Sequence, residues 1–142
     1  LGLGSCRTAS IAGYYGYETE CMGDNFDGSY MLRTQGQGST RPAAIAAAKR
    51  NVINDLLFSG VKRGQCTLPP LLTELNAREK YRSYVERFFA DGSYDAYASL
   101  SPRYRLRKVA LKDKTMGSTF LLVLRVERAQ LEQRLRDDKI IQ

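Results

Sequence analysis

Histidine is missing altogether from the 142 residues. That absence removes the commonest general base and the commonest metal ligand together. The chain also has no G-x-S-x-G turn to raise a nucleophilic serine, and no cysteines and acids at metal-ligand spacing. Glu18 and Glu20 share one face of an alternating stretch, and paired carboxylates can hydrolyse glycosides. Two acids at that spacing on a strand are more simply a solvated face. No enzyme is expected, and no cofactor or metal is implied. Long apolar runs are lacking too: the longest is TFLLVLRV, with Arg125 inside it. That is far short of the roughly 18 to 20 residues that cross a bilayer as a helix. No internal repeat or low-complexity segment is evident.

Apolar residues make up 43% and charged residues 26%, the balance of an ordinary folded domain. Residues 14–142 are enough for one core. The net charge of +7 is unevenly spread, with six basic residues and one acid between Arg103 and Lys114. Asp24, Asp27, Asp91 and Asp95 lie elsewhere. Arg103, Arg105 and Arg107 alternate with Tyr104 and Leu106, followed by Lys108 and Lys112, so this stretch could meet a polyanion: nucleic acid, lipid headgroup or acidic glycan. It could equally be a solvated face.

The clearest periodicity runs from Pro42 to Gly60. Ile45, Ala48, Val52 and Leu56, flanked by Ile53 and Leu57, recur at helical spacing. Ser39 or Thr40 can cap the start, Pro42 suits the first turn, and Gly60 can stop the helix. Ala43, Ala44, Ala46 and Ala47 leave little bulk, so a neighbouring surface can come close. A helix lying flat on a sheet is expected.

Gly36 to Thr40, GQGST, precedes that helix and reads as a Gly-rich loop able to hold a phosphate. Arg41 stands where a dinucleotide fingerprint needs its third glycine, and no Gly-Lys-Ser/Thr follows, so nucleotide binding is set aside. Before it, Tyr14 to Gly23 and Ser29 to Gly36 read as strands joined by DNFDG, a hairpin. Tyr15, Tyr17, Thr19 and Cys21 share one side of the first.

Beyond Gly60 a connector ends in Pro69-Pro70. A second helix is expected from about Glu74 to Ala90, with Tyr81, Tyr84, Val85 and Phe88 on one face. Tyr81 and Tyr84, with Tyr94 and Tyr97 of DGSYDAY, either fill the core or form a groove for a protein partner. Pro102 to Lys112 reads as a third strand with a bulge near Arg107 and Lys108. Thr119 to Val126 is a fourth, central strand, and a helix beginning near Arg128 carries Leu131 and Leu135 one turn apart. The expected fold class is α+β: an antiparallel sheet of about four strands covered on one face by helices, in the order β-β-α-α-β-β-α.

Three cysteines are present. Leu3-Gly4-Ser5-Cys6 looks like a bacterial lipobox, whose cysteine becomes the acylated first residue of the mature protein. Residues 1–13 are then a lipobox remnant and tether, the basic start and apolar run of the signal peptide having preceded Leu1. Cys21 and Cys66 remain as an even pair for a disulfide, in a compartment that permits one. No acidic surface-export cluster follows Cys6, so the expected location is the outer membrane, facing the periplasm.

RTQGQGST followed by AAIAAAKRNVINDLL, with two later strands and a helix near Arg128, resembles the small envelope domain of Lpp20-type lipoproteins. The same domain is found in the N-terminal part of a flagellar outer-membrane assembly protein. YVERFFADGSYDAY resembles a segment of Bacteroidetes lipoproteins. The resemblance implies outer-membrane anchoring and a structural or assembly role, and supplies no catalytic residues. The expected function is a non-enzymatic lipoprotein binding another envelope component. The alternative is a basic module binding an anionic polymer through Arg103 to Lys114.

Overall fold

A computed structural model of the chain describes residues 18–102, 107–109 and 118–142. Strand β1 (Glu20–Asp24) and strand β2 (Tyr30–Gly38) form the expected antiparallel hairpin, with Cys21 opposite Leu32 and a bulge between Cys21 and Gly23. Gly36 and Gly38 belong to β2, which corrects the loop expected there. The reason is steric, and it concerns the helix above. A Cβ on Gly36 would stand 1.9 Å from the Ala44 carbonyl oxygen, and one on Gly38 would stand 2.7 Å from the Ala44 nitrogen. The glycines bring the helix backbone down onto the strand, and Asn51 Nδ2 donates to the Gln35 carbonyl at 2.8 Å across the same contact.

Helix α1 (Arg41–Asn54) is capped by Thr40, whose hydroxyl accepts from the Ala43 N–H at 3.2 Å, with Pro42 in the first turn. Its sheet-facing stripe is Ala44, Ala48, Val52 and Ile53, while Ile45 is only half-buried. The helix then widens into one π turn, Asp55–Ser59, closed by the Gly60 N–H on the Asp55 carbonyl at 2.6 Å. Gly60 takes a φ of 74°, open to glycine at little cost. The Leu56 and Leu57 carbonyls, which would otherwise end the helix unpaired, accept from the Leu71 and Leu72 N–H groups at 2.9 Å each. The Pro-Pro connector therefore lies against the end of α1.

Within that connector, strand β3 (Arg63–Gly64) runs parallel to β1. Cys66 is bonded to Cys21, across a sequence separation of 45. The second helix is divided: α2 (Ala77–Lys80) and α3 (Arg82–Ala90) meet at Tyr81, and Glu74 to Asn76 lie before the first of them. Glu74 instead binds Lys80 Nζ at 2.5 Å and the Tyr81 hydroxyl at 2.6 Å, which draws the segment into a turn. A 3₁₀ turn, Ser93–Tyr97, leads into strand β4 (Ala98–Leu100). Strand β5 (Arg107–Val109), strand β6 (Ser118–Val126) and helix α4 (Arg128–Asp137) complete the described elements.

The sheet is mixed, with order β3-β1-β2-β6-β4 and with β5 also on β6. Because β2 pairs along the whole of β6, β4 and β5 share the other side of β6, giving six strands in five positions among the described residues. The expected purely antiparallel sheet of about four strands is corrected by the two short additions, β3 and β4. The third strand expected over Pro102 to Lys112 is described only at Arg107–Val109, which pairs with Leu121, Phe120 and Thr119 in unbroken register, without the bulge expected there.

One core lies on one face of this sheet. Leu32, Leu122, Leu124 and Val126 from the strands meet Val52, Ile53, Leu56 and Leu57 from α1 and its π turn, and Leu131 and Leu135 from α4. Each is sealed from water, which contributes roughly 1.5 to 3 kcal/mol per side chain.

Candidate functional site

The tyrosines proposed for a partner surface are brought into one neighbourhood. Tyr84 stacks on Phe88 with ring centroids 6.1 Å apart, and Phe88 stacks on Tyr97 at 5.7 Å. Phe89 meets Tyr94 edge-on at 5.4 Å. Cations cap the seam: Arg134 lies over Phe88 at 5.5 Å and Arg50 over Tyr94 at 6.0 Å. The hydroxyls of Tyr81, Tyr84 and Tyr97 are engaged within the chain. Tyr84 donates to Asp138 Oδ2 at 2.6 Å, Tyr81 donates to Glu74 Oε1 at 2.6 Å, and Arg134 Nη1 reaches the Tyr97 oxygen at 3.4 Å. Burial, and then the bond to Asp138, push the Tyr84 hydroxyl well above its ordinary range. The Tyr84 hydroxyl, and next Arg134, hold the Asp138 carboxyl low. All four tyrosines are half-buried against the core. They weld α3, the 3₁₀ turn and α4 together, and what remains outside is a rigid aromatic edge with a charged rim.

The residues proposed for an anionic partner are less completely placed. Arg107 and Lys108 lie on β5, on the outer side of β6. Arg103, Arg105 and Lys112 fall outside the described residues, as does Cys6. Glu20, weighed for carboxylate chemistry, is paired with Arg33 at 2.7 Å.

Sequence reading did not single out a polar cleft at the end of α1. It has a volume of about 340 Å³ and is lined by Glu18, Thr19, Asp55, Ser59, Gly60 and Lys62. Asp55 opens the π turn, a widening often found at functional positions. Thr19 Oγ1 lies 2.6 Å from Asp55 Oδ2 and 2.9 Å from Thr34 Oγ1. A hydroxyl has one proton, so Thr19 donates to the carboxylate and accepts from Thr34. Burial raises the Asp55 carboxyl above its ordinary value, against the bond from Thr19 and the charge of Arg78. The available signal was Thr34 on the inward side of β2 and Thr19, buried, just before β1. The meeting with Asp55 depends on three elements at once.

Among the described residues no group of three or more His, Cys, Asp or Glu is placed to hold a metal ion. No described helix is long and apolar enough to cross a membrane. Compared with protein-family models, with curated proteins and with solved structures, the chain finds no match.

Proposed function

We propose that this chain is the folded domain of a non-enzymatic lipoprotein, anchored through Cys6 to the outer membrane of a bacterial envelope, facing the periplasm and binding another envelope component. The Cys21–Cys66 disulfide carries the reading. Bridges of this kind persist where the surroundings are oxidising and are rare in a reducing cytosol. With two of the three cysteines bonded to each other, Cys6 is left for another use, and it closes the lipobox-like Leu3-Gly4-Ser5-Cys6. The resemblance to envelope lipoproteins agrees in kind, but the proposal stands on the cysteines. Structural or assembly work suits a surface whose notable groups are rings and ion pairs already engaged with one another.

The test is fractionation of cells producing the protein with its own upstream sequence. Wild type is expected in the outer-membrane fraction and Cys6→Ser in the soluble fraction. Retention of Cys6→Ser in the membrane would remove the anchor.

A further inference from the structure

The tip of the β1–β2 hairpin holds a phenylalanine where neither solvent nor backbone favours one. Phe26 is 90% exposed. Its φ is 59°, a left-handed conformation that bulky L-residues rarely adopt and that costs free energy wherever it is held. Among the described residues nothing covers the ring to offset that cost. Asn25 and Gly28, residue types suited to such a conformation, stand close by, yet the strained position carries Phe.

The tip is held rigid from several sides. The Phe26 N–H donates to Asp24 Oδ1 at 2.8 Å, the Asn25 N–H donates to the Ser29 carbonyl at 3.1 Å, and Asn25 Nδ2 reaches Ser29 Oγ at 3.0 Å. The Ser29 N–H donates to Asp27 Oδ1 at 3.0 Å, while Asp27 Oδ2 accepts from Arg125 at 2.8 Å. The Ala129 N–H binds the Gly28 carbonyl at 3.0 Å, tying the turn to the start of α4. A ring fixed this way loses little freedom when a partner closes on it.

We infer that Phe26 is a preformed anchor for a protein partner, entering an apolar pocket on that partner whose rim is basic. Charge selects the partner. The tip carries Asp24 and Asp27, with Glu127 beside them, and Arg125 bridges Asp27 and Glu127. Anionic headgroups would be repelled there, whereas lysines or arginines around a pocket would be attracted. The inference rests on the proposed binding of an envelope protein and does not depend on the anchor at Cys6.

The test replaces Phe26 with a photo-cross-linking benzoylphenylalanine in the full chain, in its own host cells, with and without Cys6→Ser. The expected result is one discrete adduct, identified by mass spectrometry as an envelope protein, in both backgrounds. Asp24→Lys with Asp27→Lys should abolish it. With that protein purified, Phe26→Ala is expected to bind about thirtyfold more weakly. Its melting temperature should stay unchanged, and Phe26→Gly should raise it. A lipid adduct, or binding of the Cys6→Ser protein to phosphatidylglycerol vesicles that Phe26→Ala loses, would overturn the inference in favour of a membrane contact. An adduct with a second copy alone, no adduct at all, or unweakened binding by Phe26→Ala would also overturn it. If fractionation shows Cys6 anchoring while no adduct forms, this inference falls and the anchor stands. An adduct without anchoring gives the reverse.

Discussion

At Gly36 a single methyl group separates the observed packing from an impossible one. The Ala44 carbonyl oxygen, 1.9 Å from a Cβ built there, belongs to helix backbone and cannot swing aside. Gly36→Ala is therefore expected to destabilise the fold by about 3 kcal/mol or more, read from the urea midpoint. A loss below about 1 kcal/mol would mean that α1 rides higher on β2 than described. Asp55 makes a second prediction, in pH. Its folded-state carboxyl is raised by burial, so it keeps its proton in the native state after the unfolded chain has lost one. Its contribution is fully present below the ordinary value of 3.8 and is lost as pH rises through the raised one. Asp55→Asn should remove that falling limb and raise the melting temperature at neutral pH. Asp27 runs the other way. The Ser29 hydroxyl, then the Ser29 N–H and Arg125, lower it to about 2, so what it adds is present above 3.8 and is lost as pH falls toward 2. Asp27→Asn should flatten the acid side alone.

Helix α1 was legible as an element because its cap, proline and apolar stripe all agree, and Thr40, Pro42 and Ala48 are found in those roles. Its small residues are not equivalent. Ala48 is fully buried over Gly36, while Ala47 is only half-buried. Ala48→Leu should cost about 1 to 3 kcal/mol by overpacking and Ala47→Leu distinctly less, a difference that paired thermal melts would reveal. The π turn was not legible, since Asp55 to Ser59 continues the same apolar period and widens only where Leu71 and Leu72 reach its carbonyls. The break at Tyr81 coincides with the side-chain bonds of Glu74 to Lys80 and Tyr81, which periodicity does not register. Strands as short as β3 and β4 have no alternation to read; pairing with β1 and β6 makes them strands. The Cys21–Cys66 pair was readable from the cysteine count, and the parallel contact of Gly64 with Cys21 was not. In the chain-entropy description, closing this loop stabilises the domain by about 4 kcal/mol. Denaturation with and without reductant should differ by about 2 to 5 kcal/mol, and coincident curves would show the bridge to be idle.

Across the whole molecule, charge and aromatic content proved less informative than where the side chains end up. The tyrosine hydroxyls of the second helix are engaged with Glu74 and Asp138, so among the described residues the exposed ring is Phe26, hidden to sequence reading within a turn. Acids gather at that tip although the chain as a whole is basic. The proposed location rests on how three cysteines divide. The central claim is that division: one cysteine for the membrane and two for the fold. Peptide mass spectrometry of protein extracted from outer membranes without reductant tests it most directly. The account predicts a mature chain beginning at an acylated Cys6, together with a Cys21–Cys66 cross-linked peptide. An unacylated Cys6 inside a longer chain would contradict it.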